Sequence, residues 1–298
     1  MSELRWNPTL EEWVVTATHR QERTFLPPDD YCPLCPTQKG GFPTEIPQGY
    51  EMAVFENKFP SFKKSPTPPS IEGSELYKVA PALGICEVVL YTSLHATTLT
   101  DLSIQDIRKL TLLWTDRYRE LGAKDFVDYV FIFENKGEEI GVTLHHPHGQ
   151  IYAFSYIPPR VQRELDSQRK HFEKTGGCLH CDVLKEELEF SSRIVAENDC
   201  FVAFIPFYAR YPYEMHVYAK SHRPSLLDFS SREQMDLARI LKIVLGKYDN
   251  LFKKPLPYMM VMHQAPTDGK EHPGCHFHIE FTPPYRSRDK LKYLAGTE

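Results

Sequence analysis

One order of residues occurs twice along this chain, and that repetition limits the possible folds more than any other feature. In the first half Cys32-Pro33-Leu34-Cys35 is followed by a strand-like run at 87–91 and then by His95. Eight residues further on, Ser103 and Asp106 have capping-box spacing, in which a hydroxyl and a carboxylate satisfy free amides at a helix start. Ile107, Leu110, Trp114, Tyr118 and Leu121 then recur at helical spacing, and Gly122 ends the run. A strand at 129–133 leads to His146-Pro147-His148.

The second half repeats the plan. Cys178-Leu179-His180-Cys181 precedes strands at 201–207 and 215–219, and His222 follows. Ser230 and Glu233 offer another capping box, before a helix carrying Leu237, Leu241, Val244 and Leu245. A strand at 258–262 and the run His276-Phe277-His278 close the pattern. His95 to His146 spans 51 residues, and His222 to His276 spans 54. A shared order at a shared spacing predicts an internal duplication: an α+β chain of two antiparallel-sheet halves, each with packed helices. The halves divide at 1–159 and 160–298. Tyr156-Ile157-Pro158-Pro159 ends the first, a charged helical connector covers 160–174, and Gly176-Gly177 turns into the second cysteine pair.

Composition removes several classes of function. With 298 residues, 41% of them apolar and 25% charged, the chain can bury a sizeable core. A net charge of −5 speaks against binding to a nucleic-acid backbone. No apolar run reaches the ~18 residues that span a bilayer, and Met1-Ser2-Glu3-Leu4-Arg5-Trp6 has no apolar signal region. A soluble cytoplasmic protein is therefore expected, with no membrane partner. In that reducing setting Cys-x-x-Cys pairs read as metal sites. Cys32, Cys35, His95 and His146 form one set, and Cys178, Cys181, His222 and His276 the other. Two thiolates and two imidazoles fill a tetrahedral zinc shell and leave no position for a reacting water, so both sites are expected to be structural.

His148 is the candidate nucleophile. An unperturbed imidazole, with a pKa of about 6.5, is largely unprotonated near neutrality and can attack phosphorus. It follows Glu134-Asn135-Lys136-Gly137 and a glycine turn, and Gly149-Gln150 lead from it into an apolar strand at 151–157.

At these residues the chain resembles the galactose-1-phosphate uridylyltransferase family of the histidine-triad superfamily. The resemblance rests on Phe133-Glu134-Asn135-Lys136-Gly137 and His146-Pro147-His148-Gly149-Gln150, with His19-Arg20-Gln21-Glu22-Arg23 and Val54-Phe55-Glu56-Asn57 in family order. Tyr248-Asp249-Asn250-Leu251-Phe252 and Phe281-Thr282-Pro283-Pro284 extend it over nearly the whole chain. It implies a duplicated histidine-triad-like fold. It also implies transfer of UMP from UDP-glucose to galactose 1-phosphate, with a UDP-sugar and a hexose 1-phosphate as substrates and a homodimer as the working unit. By this resemblance His148 carries the nucleotidyl group and Gln150 binds the phosphate. Arg20, Arg23, Asn57, Asn135, Gly141 and Thr143 hold the nucleotide or its phosphates, and Lys292 opens a sugar-binding stretch. Gln150 stands where hydrolases of the superfamily place a third histidine, which favours transfer over hydrolysis.

The chain also departs from its relatives. Val142-Thr143-Leu144-His145 replaces the usual Cys-Ser-Asn-Pro before the nucleophile, and Thr297 stands where a tyrosine is common. Family members continue past this chain's last residue with further sugar contacts. A second metal set of the family, a glutamate and three histidines, maps onto Glu164, His263 and His278 with Glu280 at the fourth position. It competes with the Cys178 set, which is favoured because plant relatives acting on adenine nucleotides share such a cysteine pair. The rival activities are an adenylyltransferase or phosphorylase acting on ADP-glucose or a dinucleoside polyphosphate, and a non-catalytic zinc module.

Overall fold

A computed structural model describes residues 2–18, 31–38, 41, 43–46 and 49–293. Strands β1 (Ser2–Asn7), β2 (Glu12–Ala17), β3 (Ala53–Glu56), β4 (Val79–Pro81) and β5 (Gly84–Leu90) open the chain, followed by helix α1 (Ile104–Gly122). Strands β6 (Tyr129–Lys136) and β7 (His148–Phe154) complete the first half, and helices α2 (Pro159–Thr175) and α3 (Leu179–Phe190) lead into the second. The second half contains β8 (Ile194–Glu197), β9 (Phe201–Phe204), β10 (Met215–Ala219), α4 (Ser231–Phe252), β11 (Tyr258–His263) and β12 (His278–Thr282).

Among the described residues nine strands form one antiparallel sheet in the order β3-β5-β7-β6-β11-β12-β10-β9-β8. Apart from β8, an extra edge strand in the second half, the order is two-fold symmetric about the β6–β11 pair, where Phe133 lies opposite Val261. The duplication is therefore visible in register as well as in order. Leu90 faces His148 as Tyr218 faces His278, and Val88 faces Gln150 as His216 faces Glu280. The expected pair of half-sheets is in fact continuous. Each half would otherwise expose the unpaired amides of β6 or β11, and pairing them removes two edges.

Helices α1 and α4 pack on each other and on one face of the sheet. Ile107, Leu110, Trp114, Tyr118 and Leu121 all turn inward, as their spacing requires. Each such side chain contributes roughly 1.5–3 kcal/mol of burial. Both helix starts read from the sequence are present. The Ser103 hydroxyl accepts the Asp106 amide, and Ser230 and Glu233 form a complete capping box. Ser230→Ala is expected to cost about 1 kcal/mol, seen as a lower denaturant midpoint at an unchanged slope.

Three features were not legible in the sequence. Strands β1, β2 and β4 form a separate three-stranded sheet, and α3 grows directly out of the second cysteine pair. Strand β7 runs from His148 to Phe154, earlier at both ends than the apolar run at 151–157 suggests. Pro158 and Pro159 lack amides for the ladder, and Pro159 opens α2, where a missing amide is harmless.

Candidate active site and metal clusters

His148 is the first residue of β7, a half-buried side chain at the end of a central strand. Its Nδ1 lies 2.7 Å from the carbonyl oxygen of His146. A carbonyl can only accept, so Nδ1 carries the ring hydrogen and Nε2 keeps its lone pair. The hydrogen bond thus sets both the aim and the tautomer of the imidazole and puts the lone pair on Nε2, the arrangement that attack by an imidazole requires.

Two residues along the same face is Gln150. Its Oε1 accepts from Asn57 Nδ2 at 3.5 Å and from the Tyr152 hydroxyl at 3.4 Å. Two donors on the oxygen leave the amide NH2 group as the end that can donate to an anion. Cavities open on either side of β7. A cavity of about 310 Å³ toward β5 is bounded by Leu34, Phe55, Asn57, Val88, Thr143 and Gln150. One of about 600 Å³ toward β6 is bounded by Thr97, Asn135, Val142 and Pro257. His148 lines both. Gly141 makes the preceding turn in a left-handed conformation, φ 84°, which glycine adopts without strain.

The first cysteine–histidine set is assembled as expected. Ligand atoms of Cys32, Cys35, His95 and His146 all lie within 4.8 Å of one another. Cys35 Sγ is 3.5 Å from both His95 Nδ1 and His146 Nδ1. His146 Nε2 donates to the Thr92 carbonyl at 2.8 Å, which turns the Nδ1 lone pair into the cluster. Burial and the neighbouring Cys32 push the Cys35 thiol up to about 11. A bound dication reverses that preference by stabilising thiolates. The donor chemistry therefore fits a metal ion.

The second set is its counterpart. Cys178, Cys181, His222 and His276 converge within the same 4.8 Å limit. His276 Nε2 donates to the Ala219 carbonyl at 2.9 Å, and its Nδ1 lies 3.3 Å from Cys181 Sγ. Burial lowers the His276 pKa to about 4, which keeps the ring neutral, as a ligand must be. His278 repeats the posture of His148, with Nδ1 3.0 Å from the His276 carbonyl.

Glu164, His263 and His278 make a third set within 4.8 Å, sharing no residue with the cysteine set. The two arrangements read as competitors in the sequence therefore coexist in space. Glu280 stands outside the third set but bridges its surroundings, with oxygens 3.6 Å from His263 Nε2 and 3.6 Å from His216 Nε2. Burial disfavours the charged form of His263, but the Glu164 and Glu280 carboxylates outweigh it and raise its pKa. At the position of Gln150 the second half thus presents an anion, flanked by buried histidines. That carboxylate is paired with Arg160, so the two halves differ chemically at this position: an amide in the first, an ion pair in the second.

His148, Gln150, Asn57, Asn135 and Thr143 are brought together around the two cavities. Lys292 is not among them: its ammonium donates to the Arg210 carbonyl and lies over the Tyr211 ring, lining neither cavity. Arg20 and Arg23 lie outside the described residues. Two contributors had escaped the sequence reading. Tyr152 orients Gln150, and the Tyr50 hydroxyl reaches His146 Nε2 at 3.2 Å and the Leu34 carbonyl at 3.0 Å. Tyr152 sits on the Gln150 face of an alternating strand, which was a usable signal; Tyr50 had none.

Comparison with known proteins agrees with this arrangement. The family profile for the galactose-1-phosphate uridyl transferase N-terminal domain matches residues 1–158, and that for the C-terminal domain matches 164–296. The galactose-1-phosphate uridylyltransferase of Thermotoga maritima is 45% identical over 100% of this chain and 92% of its own length. That of Haemophilus influenzae is 34% identical over 99% and 87%. A solved uridylyltransferase structure superposes with a TM-score of 0.87 at 36% identity, covering 99% of this chain and 90% of the other. An ADP-glucose phosphorylase from Arabidopsis thaliana, at 23% identity and a TM-score of 0.70 over 96% and 91% of the two chains, shares the fold. Matched in both halves and along its full length, the chain belongs to the galactose-1-phosphate uridylyltransferase family.

Proposed function

We infer that this protein transfers UMP from UDP-glucose to galactose 1-phosphate through a uridylyl-histidine at His148. The observation that carries the reading is the hydrogen bond from Nδ1 to the His146 carbonyl, which puts the ring's lone pair on Nε2 of a residue that lines both cavities. In the first half-reaction Nε2 attacks the α-phosphorus, the bond to the departing phosphate oxygen breaks, and glucose 1-phosphate leaves. The Nδ1 hydrogen stays on the ring, shared with the carbonyl, as the imidazole becomes cationic. A phosphate oxygen of galactose 1-phosphate then attacks, the N–P bond breaks, and UDP-galactose leaves a neutral His148. Neither nucleophile has to lose a proton, which agrees with an amide rather than an imidazole at Gln150. That amide donates to the phosphoryl oxygen, where charge stabilisation acts in such a step.

The smaller cavity suits the nucleoside, with Asn57 facing the base or ribose. The larger one, with Asn135, suits the sugar phosphate. Arg20, Arg23, Thr143 and the turn at Gly141 complete the phosphate contacts. Zinc held by Cys32, Cys35, His95 and His146, and by Cys178, Cys181, His222 and His276, would tie chain segments together, its four protein ligands leaving no position for a reacting water. We assign the halves to 1–159 and 160–298 and place the working enzyme in the cytoplasm. A homodimer accounts for Lys292, which would serve the partner's sugar site rather than its own.

Incubating the protein with UDP-glucose and, separately, ADP-glucose, each labelled in its α-phosphate, tests the reading. Label retained on His148 from UDP-glucose alone, and discharged by galactose 1-phosphate, is the expected result. Label retained from ADP-glucose alone would assign the protein to adenylyl transfer.

A further inference from the structure

Beneath the nucleophile, on the helix side of the sheet, the core is polar. Tyr91, Glu134 and Tyr258 are 1%, 5% and 1% exposed. The Tyr258 hydroxyl donates to Glu134 Oε1 at 3.1 Å. Among the described residues neither Tyr91 Oη nor Glu134 Oε2 makes a well-formed hydrogen bond, yet the two groups lie close enough for each to shift the other's ionisation. Burial, only partly offset by Lys136 and the tyrosine hydroxyls, pushes the Glu134 carboxyl up to about 7. Buried unmatched oxygens are costly, so their presence under a central strand calls for a reason.

The other half provides the control. One step beyond the Phe133–Gln150 pair, Glu134 lies beside Gly149, and its two-fold mate Met262 lies opposite Ile279. By the same register Tyr91 corresponds to Ala219 and Gly149 to Ile279. The first half therefore packs Tyr91, Glu134 and Gly149 where the second packs Ala219, Met262 and Ile279, the last three each at most 2% exposed. Large and small residues have changed places across the strands. The fold is evidently served by the dry version, because the second half uses it. The polar version sits only under the half that carries His148 and Gln150.

Contact with the nucleophile's backbone is direct. The Tyr91 amide donates to the Pro147 carbonyl at 3.2 Å. Its hydroxyl fills the space beside Gly149, where a β-carbon would come within 2.2 Å of it. Trp114 backs the ring edge-on, with centroids 6.0 Å apart. His148 is thus held between two residues that Tyr91 touches.

We propose that Tyr91 and Glu134 are positioning residues for the nucleophile: the phenol, braced by the buried carboxyl, fixes the backbone at 147–149 and with it the aim of His148. The inference rests on the reading of His148 as the nucleotidyl carrier. In-line attack tolerates little error, and a displacement of about 1 Å can cost about a hundredfold in rate.

The test uses the full-length protein and three variants: Tyr91→Phe, Glu134→Gln, and the triple Tyr91→Ala/Glu134→Met/Gly149→Ile, which rebuilds the dry packing of the second half. Single-turnover uridylylation of His148 from UDP-glucose, KM and the melting midpoint are measured for each. Both single variants are expected to lose roughly tenfold in rate, with KM within about twofold and the melting midpoint unchanged. The triple variant is expected to melt no lower than wild type and to lose about a hundredfold. A rate within twofold of wild type in both single variants overturns the proposal, as does a loss that follows a lowered melting midpoint or a raised KM. Should the triple variant not fold, the isosteric single variants decide alone. Absence of label on wild-type His148 removes the transfer reading and this inference together; label on the wild type with undiminished single variants removes only the inference.

Discussion

His148→Asn is expected to leave a folded protein whose turnover falls by roughly 10⁴-fold or more. The size follows from the chemistry, because a covalent carrier cannot be replaced by positioning alone. An amide of similar size retains a group near the His146 carbonyl but has no basic lone pair for phosphorus. The side chain is only half-buried, so little packing is lost and the melting midpoint should hold. Mass spectrometry after exposure to UDP-glucose should find no UMP adduct, while wild type gains one UMP per chain. Exchange of label between UDP-glucose and glucose 1-phosphate should also vanish, since that exchange is the first half-reaction run in both directions. Retention of substantial exchange by the variant would move the nucleophile elsewhere.

The second large effect concerns the metal clusters. Cys35→Ala removes a sulfur lying 3.5 Å from two histidine nitrogens, and Cys181→Ala removes its counterpart near His222 and His276. Each variant is expected to bind one zinc ion per chain where wild type binds two, measured by elemental analysis. Each should lose several kcal/mol, because metal binding energy at a structural site is folding energy. For a chain of this size that corresponds to roughly 10 °C in melting midpoint. Activity separates the two. His146 belongs to the first cluster, and its carbonyl holds His148. Cys35→Ala should therefore lose turnover at temperatures where the protein is still folded, while Cys181→Ala should keep most of it. Equal losses in the two variants would deny the first cluster any part in aiming the nucleophile.

The legible parts of the fold are those with local causes. Ser103 and Ser230 cap helices where their spacing to Asp106 and Glu233 says they should, because capping is decided within one turn. The helix faces led by Ile107 and Leu237 are buried as their periodicity requires. Both cysteine–histidine sets were readable because two copies of one order seldom arise by chance. The roles of Asn57, Asn135 and Thr143 came from resemblance, and the structure adds their grouping about His148. Lys292 resisted such reading, since its place beside Arg210 and Tyr211 depends on how the segment after β12 folds back.

By itself the sequence determined the duplication, the helix starts, the two matched cysteine–histidine sets and the run His146-Pro147-His148-Gly149-Gln150. These rest on spacing and residue chemistry, which are properties of short stretches. Only the tertiary structure decided that the halves share a single sheet and that Glu164, His263 and His278 stand apart from the second cysteine set. It alone also placed Tyr91 beneath Gly149. Those outcomes depend on which strands pair, and in what register, across separations of up to a hundred residues or more. Strand pairing over such distances is set by global packing, so no local pattern could have announced it.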